Sequence, residues 1–162
     1  MGLWKNLAGT VVSVAAASAA GSVVTKPDGE WYRGLTKPSW QPPGIAFPLV
    51  WTPLYASIAG ASAVALTRFA EDGDDEQVTA YRRALAVNLA LNAGWSGVFF
   101  GLKNARAGVP VAVALAVSSA DLARRAGKAG TGPGAALAPY AAWTCFASAL
   151  NVAIVRLNPA MR

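Results

Sequence analysis

Five long stretches of this chain carry no charged residue, and they restrict its fold more than any other feature. They cover residues 6–25, 38–67, 84–102, 107–120 and 129–155. A helix needs roughly 20 mostly apolar residues to cross the hydrocarbon core of a bilayer, with about 17 as the lower limit. Only the fourth stretch falls below that limit, and it continues to Arg124 and Arg125, whose long side chains can reach the membrane surface. Five membrane-spanning helices are therefore predicted.

The composition agrees with a membrane protein. Only 14% of the 162 residues are charged and 54% are hydrophobic, whereas a soluble domain carries about 25% charged residues. We predict an all-α integral membrane protein, with residues 1–162 forming one domain and a five-transmembrane-helix bundle. The predicted helices cover approximately residues 6–25, 46–68, 82–102, 107–124 and 135–157.

The first apolar stretch permits two interpretations. Lys5 followed by an apolar run and the small residues 15–20 resembles a secretory signal peptide with its cleavage site. However, Gly9, Ser13, Ala17 and Gly21 recur every four residues, which is a pattern that allows a second helix to approach closely. This pattern favours a helix that is retained and packed.

The charges do not reveal the orientation. The lysines and arginines divide seven to seven between the two ends of a five-helix bundle, Arg162 among them, so the excess of positive charge that marks cytoplasmic loops gives no direction. The net charge of +6 forms no basic stripe, and no nucleic-acid partner is predicted. We expect membrane lipid to be the partner of these charges. The lack of an organelle-targeting extension and the Ala/Gly/Val-rich composition favour a bacterial plasma (inner) membrane.

The loop between the first two predicted helices, residues 26–48, is rich in proline and tryptophan. Its five prolines fix their own φ angles and favour extended neighbours, so the loop is expected to be stiff. Trp31, Tyr32 and Trp40 lie in it. They could anchor the loop among the lipid headgroups as an aromatic belt, or they could form a lid over a cavity between the helices.

The chain lacks the residues of most catalytic sites. It has no histidine, which removes the usual general base and the commonest metal and haem ligand. Cys145 is its only cysteine, so one chain can form neither a disulfide nor a cysteine-based metal cluster. No metal site is predicted, and a conventional hydrolase or transferase is disfavoured.

Aromatic and amide side chains instead recur at helical spacing on three predicted helices. They are Phe47, Trp51 and Tyr55 on the second, Asn88, Asn92, Trp95 and Phe99 on the third, and Tyr140, Trp143, Ala147 and Asn151 on the fifth. Asparagine is costly in hydrocarbon unless it faces the bundle interior. One interpretation is helix packing, with asparagines bonding across helices. Three faces that each carry a tryptophan, beneath an aromatic loop, favour a pocket for a large, flat, apolar ligand.

Three segments carry a resemblance to a known family. The stretches WYRGLTKPSWQPPGIAFPLVWTPLY (residues 31–55), NLALNAGWSGVFFG (88–101) and PYAAWTCFASALNVAIVRLN (139–158) are similar to the TspO/MBR family of tryptophan-rich sensory proteins and translocator proteins, also called peripheral-type benzodiazepine receptors. The resemblance covers nearly the whole chain. It implies a five-helix membrane bundle, usually a homodimer, in which the first helix is retained.

The same resemblance implies a membrane receptor or sensor. Its cavity beneath the first loop would bind tetrapyrroles such as protoporphyrin IX, and in many members benzodiazepine-type ligands, and the protein would sense, sequester or transport them. No cofactor is required, and the porphyrin is a ligand. Transferred by position, the pocket would consist of Tyr32, Trp40, Trp51, Tyr55, Asn92, Trp95, Trp143, Ala147 and Leu150.

Two further expectations follow from the resemblance. As an alternative to a receptor, some members are associated with light- and oxygen-dependent degradation of protoporphyrin, for which Trp51 and Trp143 would be the reactive pair. The porphyrin carboxylates would bind basic groups near the membrane surface, and Arg33 and Lys37 are the candidates by position. Animal members are linked to cholesterol by a pattern that requires a tyrosine, and residues 150–156 lack one, so sterol binding is doubtful.

Overall fold

The computed structural model describes residues 2–160, and this part of the chain is helical throughout apart from its connections. The helices are α1 (Leu3–Val24), α2 (Glu30–Gly34), α3 (Ala46–Glu71), α4 (Asp75–Ser96), which continues into a π-helical turn (Gly97–Gly101), α5 (Ala105–Ala129) and α6 (Thr131–Leu157). All but α2 are long and apolar enough to span a membrane, counting α4 with its π-helical turn. The predicted all-α, five-span fold is confirmed. Arg162, counted in the charge balance above, lies outside the described residues.

The five long helices form a closed ring. α1 packs against α3 and α4, α4 packs against α5, α5 against α6, and α6 against α3. The interior is filled by fully buried side chains such as Ile58, Leu122 and Leu137. The loop that contains α2 lies at the same end of the ring as the C-terminus of α6, and we call this the loop end.

The first helix is an integral part of this ring. The Thr10 hydroxyl donates to the Ala59 carbonyl of α3 over 2.9 Å. Gly21 is buried, and a Cβ there would lie 3.3 Å from the Ser96 Oγ of α4. Gly9, by contrast, is exposed and meets nothing within 4 Å. The small-residue pattern therefore serves close packing at its C-terminal end.

The third predicted span begins earlier than expected, at Asp75 instead of residue 82. Asp74 caps the helix, since its side chain accepts a hydrogen bond of 2.9 Å from the Gln77 amide. Asp75 and Glu76 occupy the first turn, where negative charge is stabilised by the helix dipole. The uncharged stretch identified the membrane-crossing part of α4 and missed its charged first turns.

The fifth predicted span also begins earlier, at Thr131 instead of residue 135. Gly130 alone separates α5 from α6, and its φ of 147° is one that side chains disfavour. A Cβ on Gly134 would lie 2.8 Å from the Cα of Gly127. The glycines that suggested a longer loop thus allow two helices to meet closely, and Pro139 falls inside α6 instead of in its first turns.

Candidate ligand-binding site

Buried polar side chains are joined in one hydrogen-bonded chain across the interior of the ring. The Tyr55 hydroxyl donates to the Asn92 side-chain oxygen over 3.1 Å, and the Asn92 amide donates to the Tyr140 hydroxyl over 3.3 Å. The Tyr140 hydroxyl donates to the Asn88 oxygen over 2.9 Å. The Asn88 amide then donates to the Ser119 hydroxyl over 3.1 Å. This chain links α3, α4, α6 and α5, and satisfies groups that hydrocarbon cannot.

The third asparagine fixes a tryptophan. The Trp95 indole N–H donates to the Asn151 oxygen over 3.0 Å. The Asn151 amide donates in turn to the Ala105 carbonyl at the start of α5, over 2.9 Å. All three asparagines of the predicted stripes therefore bond across helices, as the packing interpretation expects, and they also set the positions of aromatic rings.

One group of aromatic rings lies between α3 and α6. Trp51 stacks on Tyr55, with ring centroids 5.2 Å apart, and meets the Tyr140 ring edge-on at 6.2 Å. Trp143 meets Phe47 edge-on at 6.0 Å. Trp51, Tyr55 and Trp143 pack against the same buried core. The structure thus brings both tryptophans of the predicted reactive pair into one group.

A second group lies nearer the loop end, centred on Phe99 of the π-helical turn. Trp95 stacks on Phe99 at 5.1 Å, and Tyr32 of α2 meets it edge-on at 6.2 Å. Leu150 belongs to this cluster, and so does Phe47, which contacts Trp143 of the first group. Phe47 therefore joins the two groups.

Trp40 lies at the outer edge of these groups. It is half exposed and meets Phe146 edge-on, with centroids 5.7 Å apart. Phe146 in turn lies 5.2 Å from Trp143. Ala147, on the next position of α6, is partly buried.

We call the following set the aromatic site: Tyr32, Trp40, Phe47, Trp51, Tyr55, Asn92, Trp95, Phe99, Tyr140, Trp143, Phe146, Ala147 and Leu150. Phe146 was absent from the sequence prediction, because it lies off the stripe through Tyr140, Trp143 and Ala147. Its position three residues after Trp143 was the only available signal.

Two buried polar atoms at the aromatic site have no hydrogen-bond partner among the described residues. They are the indole nitrogen of Trp143 and the side-chain oxygen Oε1 of Gln41. The Gln41 amide nitrogen is engaged, since it donates to the Tyr32 hydroxyl over 3.2 Å. Buried polar groups in native proteins are nearly always paired. The site therefore offers one free donor and one free acceptor.

The basic residues of the loop differ in availability. The Lys37 ammonium donates to the carbonyls of Tyr32 and Leu35, over 2.7 and 3.0 Å, and lies 4.5 Å from the centre of the Tyr32 ring. Desolvation in this position lowers the pKa of Lys37, and burial likewise raises the pKa of the Tyr32 hydroxyl. Lys37 thus fastens the loop to itself, whereas the exposed Arg33 of α2 is available to an anion.

A ring of five membrane-spanning helices around an aromatic, asparagine-fixed interior defines an integral, multi-pass membrane protein. The sequence model of the TspO/MBR family matches residues 9–157. The chain belongs to this family, as the three sequence segments predicted.

Individual relatives match over most of their length. The chain is 37% identical to the "Tryptophan-rich protein TspO" of Chlorobaculum tepidum, over 86% of this chain and 87% of that protein. It is 33% identical to the "Tryptophan-rich sensory protein" of Cereibacter sphaeroides, over 92% and 89% of the two chains. It is 34% identical to the human "Translocator protein", over 82% and 77%.

Proposed function

We propose that the protein is a membrane receptor that binds protoporphyrin IX-type tetrapyrroles at the aromatic site. The observation that carries this proposal is the buried, unpartnered indole N–H of Trp143. It lies in a wall of aromatic rings contributed by α3 and α6. A flat apolar ligand with a hydrogen-bond acceptor would supply the missing partner, and aromatic walls with few polar groups are typical of such sites.

The charge at the loop end suits an anionic ligand. Among the described residues, that end carries the six basic residues Lys26, Arg33, Lys37, Lys103, Arg106 and Arg156, against the two acidic residues Asp28 and Glu30. The opposite end has seven basic and six acidic residues. The resulting excess of positive charge at the loop end would attract the propionate groups of a porphyrin, and Arg33 is the available partner in the loop.

Binding would require the aromatic site to open. Its rings already contact one another, with Trp95 stacked on Phe99 at 5.1 Å and Trp51 stacked on Tyr55 at 5.2 Å. A porphyrin entering between Phe47 and Trp143 would replace ring–ring contacts with contacts to its own ring. Since the exchanged contacts are alike, the cost of opening is expected to be small compared with the aromatic area gained.

Fluorescence titration tests the proposal. Protoporphyrin IX should quench the tryptophan emission of the detergent-solubilised protein, and replacing both Trp51 and Trp143 with Phe should weaken binding at least tenfold, or ~1.4 kcal/mol. Trp4→Phe is the matched control, because Trp4 is 80% exposed at the opposite end of the ring. Equal affinity in the double variant and the wild type would refute the assignment of this site.

A second candidate function is the light- and oxygen-dependent degradation of the bound porphyrin. The observation that favours it is the placement of Trp51 and Trp143 against the same core. Illumination of the aerobic complex, followed by its absorption spectrum, separates the two functions. Pigment loss that is equally fast in the wild type and the double variant, at matched occupancy, would leave binding alone.

Several expectations from the family resemblance stay predictions. They are the binding of benzodiazepine-type ligands, the homodimer, and the bacterial plasma membrane as the location. Displacement of porphyrin by a benzodiazepine-type ligand tests the first, and the mass of the protein–detergent complex tests the second. Membrane fractionation of the native host tests the third.

A further inference from the structure

A surface groove of about 520 Å³ lies between α6 and the loop, outside the ring of helices. Pro38 and Trp40 form its loop side. Its helix side consists of Ala149, Val152 and Ala153, and Arg156 lines it at the end of α6. We call this the outer groove.

Local sequence explains why the outer groove exists. Ala149 and Ala153 are one helical turn apart and present only methyl groups on the same face of α6. Trp40 reaches past them to contact Phe146, one turn further from the loop end. The indole therefore overhangs a strip of helix that has no large side chain. From Ala149 to Arg156 this strip extends about 10 Å along the helix axis.

The groove is polar at one end only. Arg156 is the penultimate residue of α6 and is exposed at the loop end. Within residues 2–160 both ion pairs involve Asp121, so the Arg156 guanidinium makes none. Beyond Arg156 the groove lining, including Ala149, Val152 and Ala153, is apolar. A membrane-bound molecule that fits this gradient has an anionic head at the surface and an apolar chain that points towards the bilayer centre.

We propose that the outer groove binds one anionic phospholipid of the surrounding bilayer. The Arg156 guanidinium would bind its phosphate through paired N–H donors. One acyl chain would lie along Ala149 and Ala153, beneath the Trp40 ring. The positive excess at the loop end favours the same occupant, because anionic headgroups are attracted by about 1 kcal/mol for each nearby basic residue. A sterol has no charge to offer Arg156. This proposal does not depend on porphyrin binding.

The test uses lipids that carry bromine on their acyl chains, because bromine quenches nearby tryptophans. The full-length protein is reconstituted in phosphatidylcholine vesicles that contain brominated phosphatidylglycerol or brominated phosphatidylcholine. The quenching that is present in the wild type and lost in Trp40→Phe reports on the outer groove. We expect this part of the quenching to favour phosphatidylglycerol about fivefold, the ratio that corresponds to ~1 kcal/mol.

Charge variants then locate the headgroup. Arg156→Gln should remove the preference for phosphatidylglycerol, and Arg156→Lys should keep most of it. Lys26→Gln is the control, since Lys26 is exposed at the same end and lies outside the groove, and it should leave the preference unchanged.

A filled groove provides an independent readout. Ala153→Leu should abolish quenching of Trp40 by both brominated lipids, whereas Ala142→Leu, at an exposed position of α6 outside the groove, should not. Circular dichroism and thermal unfolding show whether each variant is folded.

Four results would overturn the proposal. They are equal quenching of Trp40 by both lipids in the wild type, an intact preference in Arg156→Gln, and stronger quenching by a brominated sterol that does not depend on Arg156. The fourth is no quenching of Trp40 by any lipid, which would mean that protein, such as a second copy of the chain, covers the groove.

Discussion

Asn158 and Thr36 pair through two hydrogen bonds, although 122 residues separate them. The Thr36 amide donates to the Asn158 side-chain oxygen over 2.9 Å, and the Asn158 amide group donates to the Thr36 carbonyl over 2.8 Å. One side chain thus satisfies both backbone groups of a loop residue, as a neighbouring strand would. The middle of the loop is thereby attached to the C-terminal end of α6.

Asn158→Ala should release this attachment. Hydrogen exchange at the Thr36 amide should become about fivefold faster, which corresponds to a lost hydrogen bond of ~1 kcal/mol. Exchange measured by mass spectrometry on loop peptides checks this. Asn104→Ala is the control, because it removes the cap of α5 at the same end and leaves the loop bonds in place. Unchanged exchange at Thr36 in Asn158→Ala would show that the loop is held by its other contacts.

Removing Asn88 should destabilise the bundle. Asn88→Leu leaves the Tyr140 hydroxyl without its acceptor and Ser119 without a donor, so a loss of ~0.6–2 kcal/mol is expected. Unfolding in mixed micelles with increasing dodecyl sulfate measures this loss. Val87→Leu is the control, since Val87 is 57% exposed on the outer side of the same helix. Equal stability of the two variants would indicate that the hydrogen-bonded chain contributes nothing net.

Two glycine-to-alanine changes should have opposite effects. A Cβ at Gly108 would lie 2.9 Å from the Asn151 side-chain oxygen and 3.3 Å from Phe99 Cδ2. Gly108→Ala should therefore cost about 1–3 kcal/mol. Gly94 has nothing within 4 Å of its Cβ position, so Gly94→Ala should gain about 0.5–1 kcal/mol from helix propensity.

Tryptophan emission adds a local readout to that pair. Gly108→Ala displaces Asn151, which accepts from the Trp95 indole, so the emission spectrum should shift. The spectrum of Gly94→Ala should stay as in the wild type. A Gly108→Ala protein with native stability and emission would contradict the close approach of α5 to the π-helical turn.

The Tyr32 hydroxyl should ionise above pH 10. Burial raises its pKa, and the Gln41 hydrogen bond opposes this in part. Since the folded pKa exceeds the unfolded one, the stabilisation from this group is complete below pH 10 and is lost as the pH rises through the folded pKa. The difference between the absorbance titrations of the wild type and Tyr32→Phe isolates this step. Gln41→Ala should move it to still higher pH, and a step at or below pH 10 would contradict the burial of this side chain.

The sequence predicted the spans well because a bilayer imposes a length and excludes charge. It predicted both ends of α3 to within three residues, whereas the charged first turns of α4 lie outside the rule. The tryptophans and asparagines of the site were found by their spacing. Phe146 was missed, because its contacts with Trp40 and Trp143 depend on how the loop folds back onto α6. Such long-range placement has no period in the sequence.

The single-residue connection at Gly130 restricts how this protein can change in length. Surface loops ordinarily accept insertions. Here a Cβ at Gly130 would collide with the Arg68 guanidinium, and Gly134 lies against the backbone of Gly127. An inserted residue would separate these glycines and move α6 along α5, which would shift Trp143 relative to Phe47 and Asn151 relative to Trp95. The most exposed turn of the bundle therefore determines the alignment of its interior.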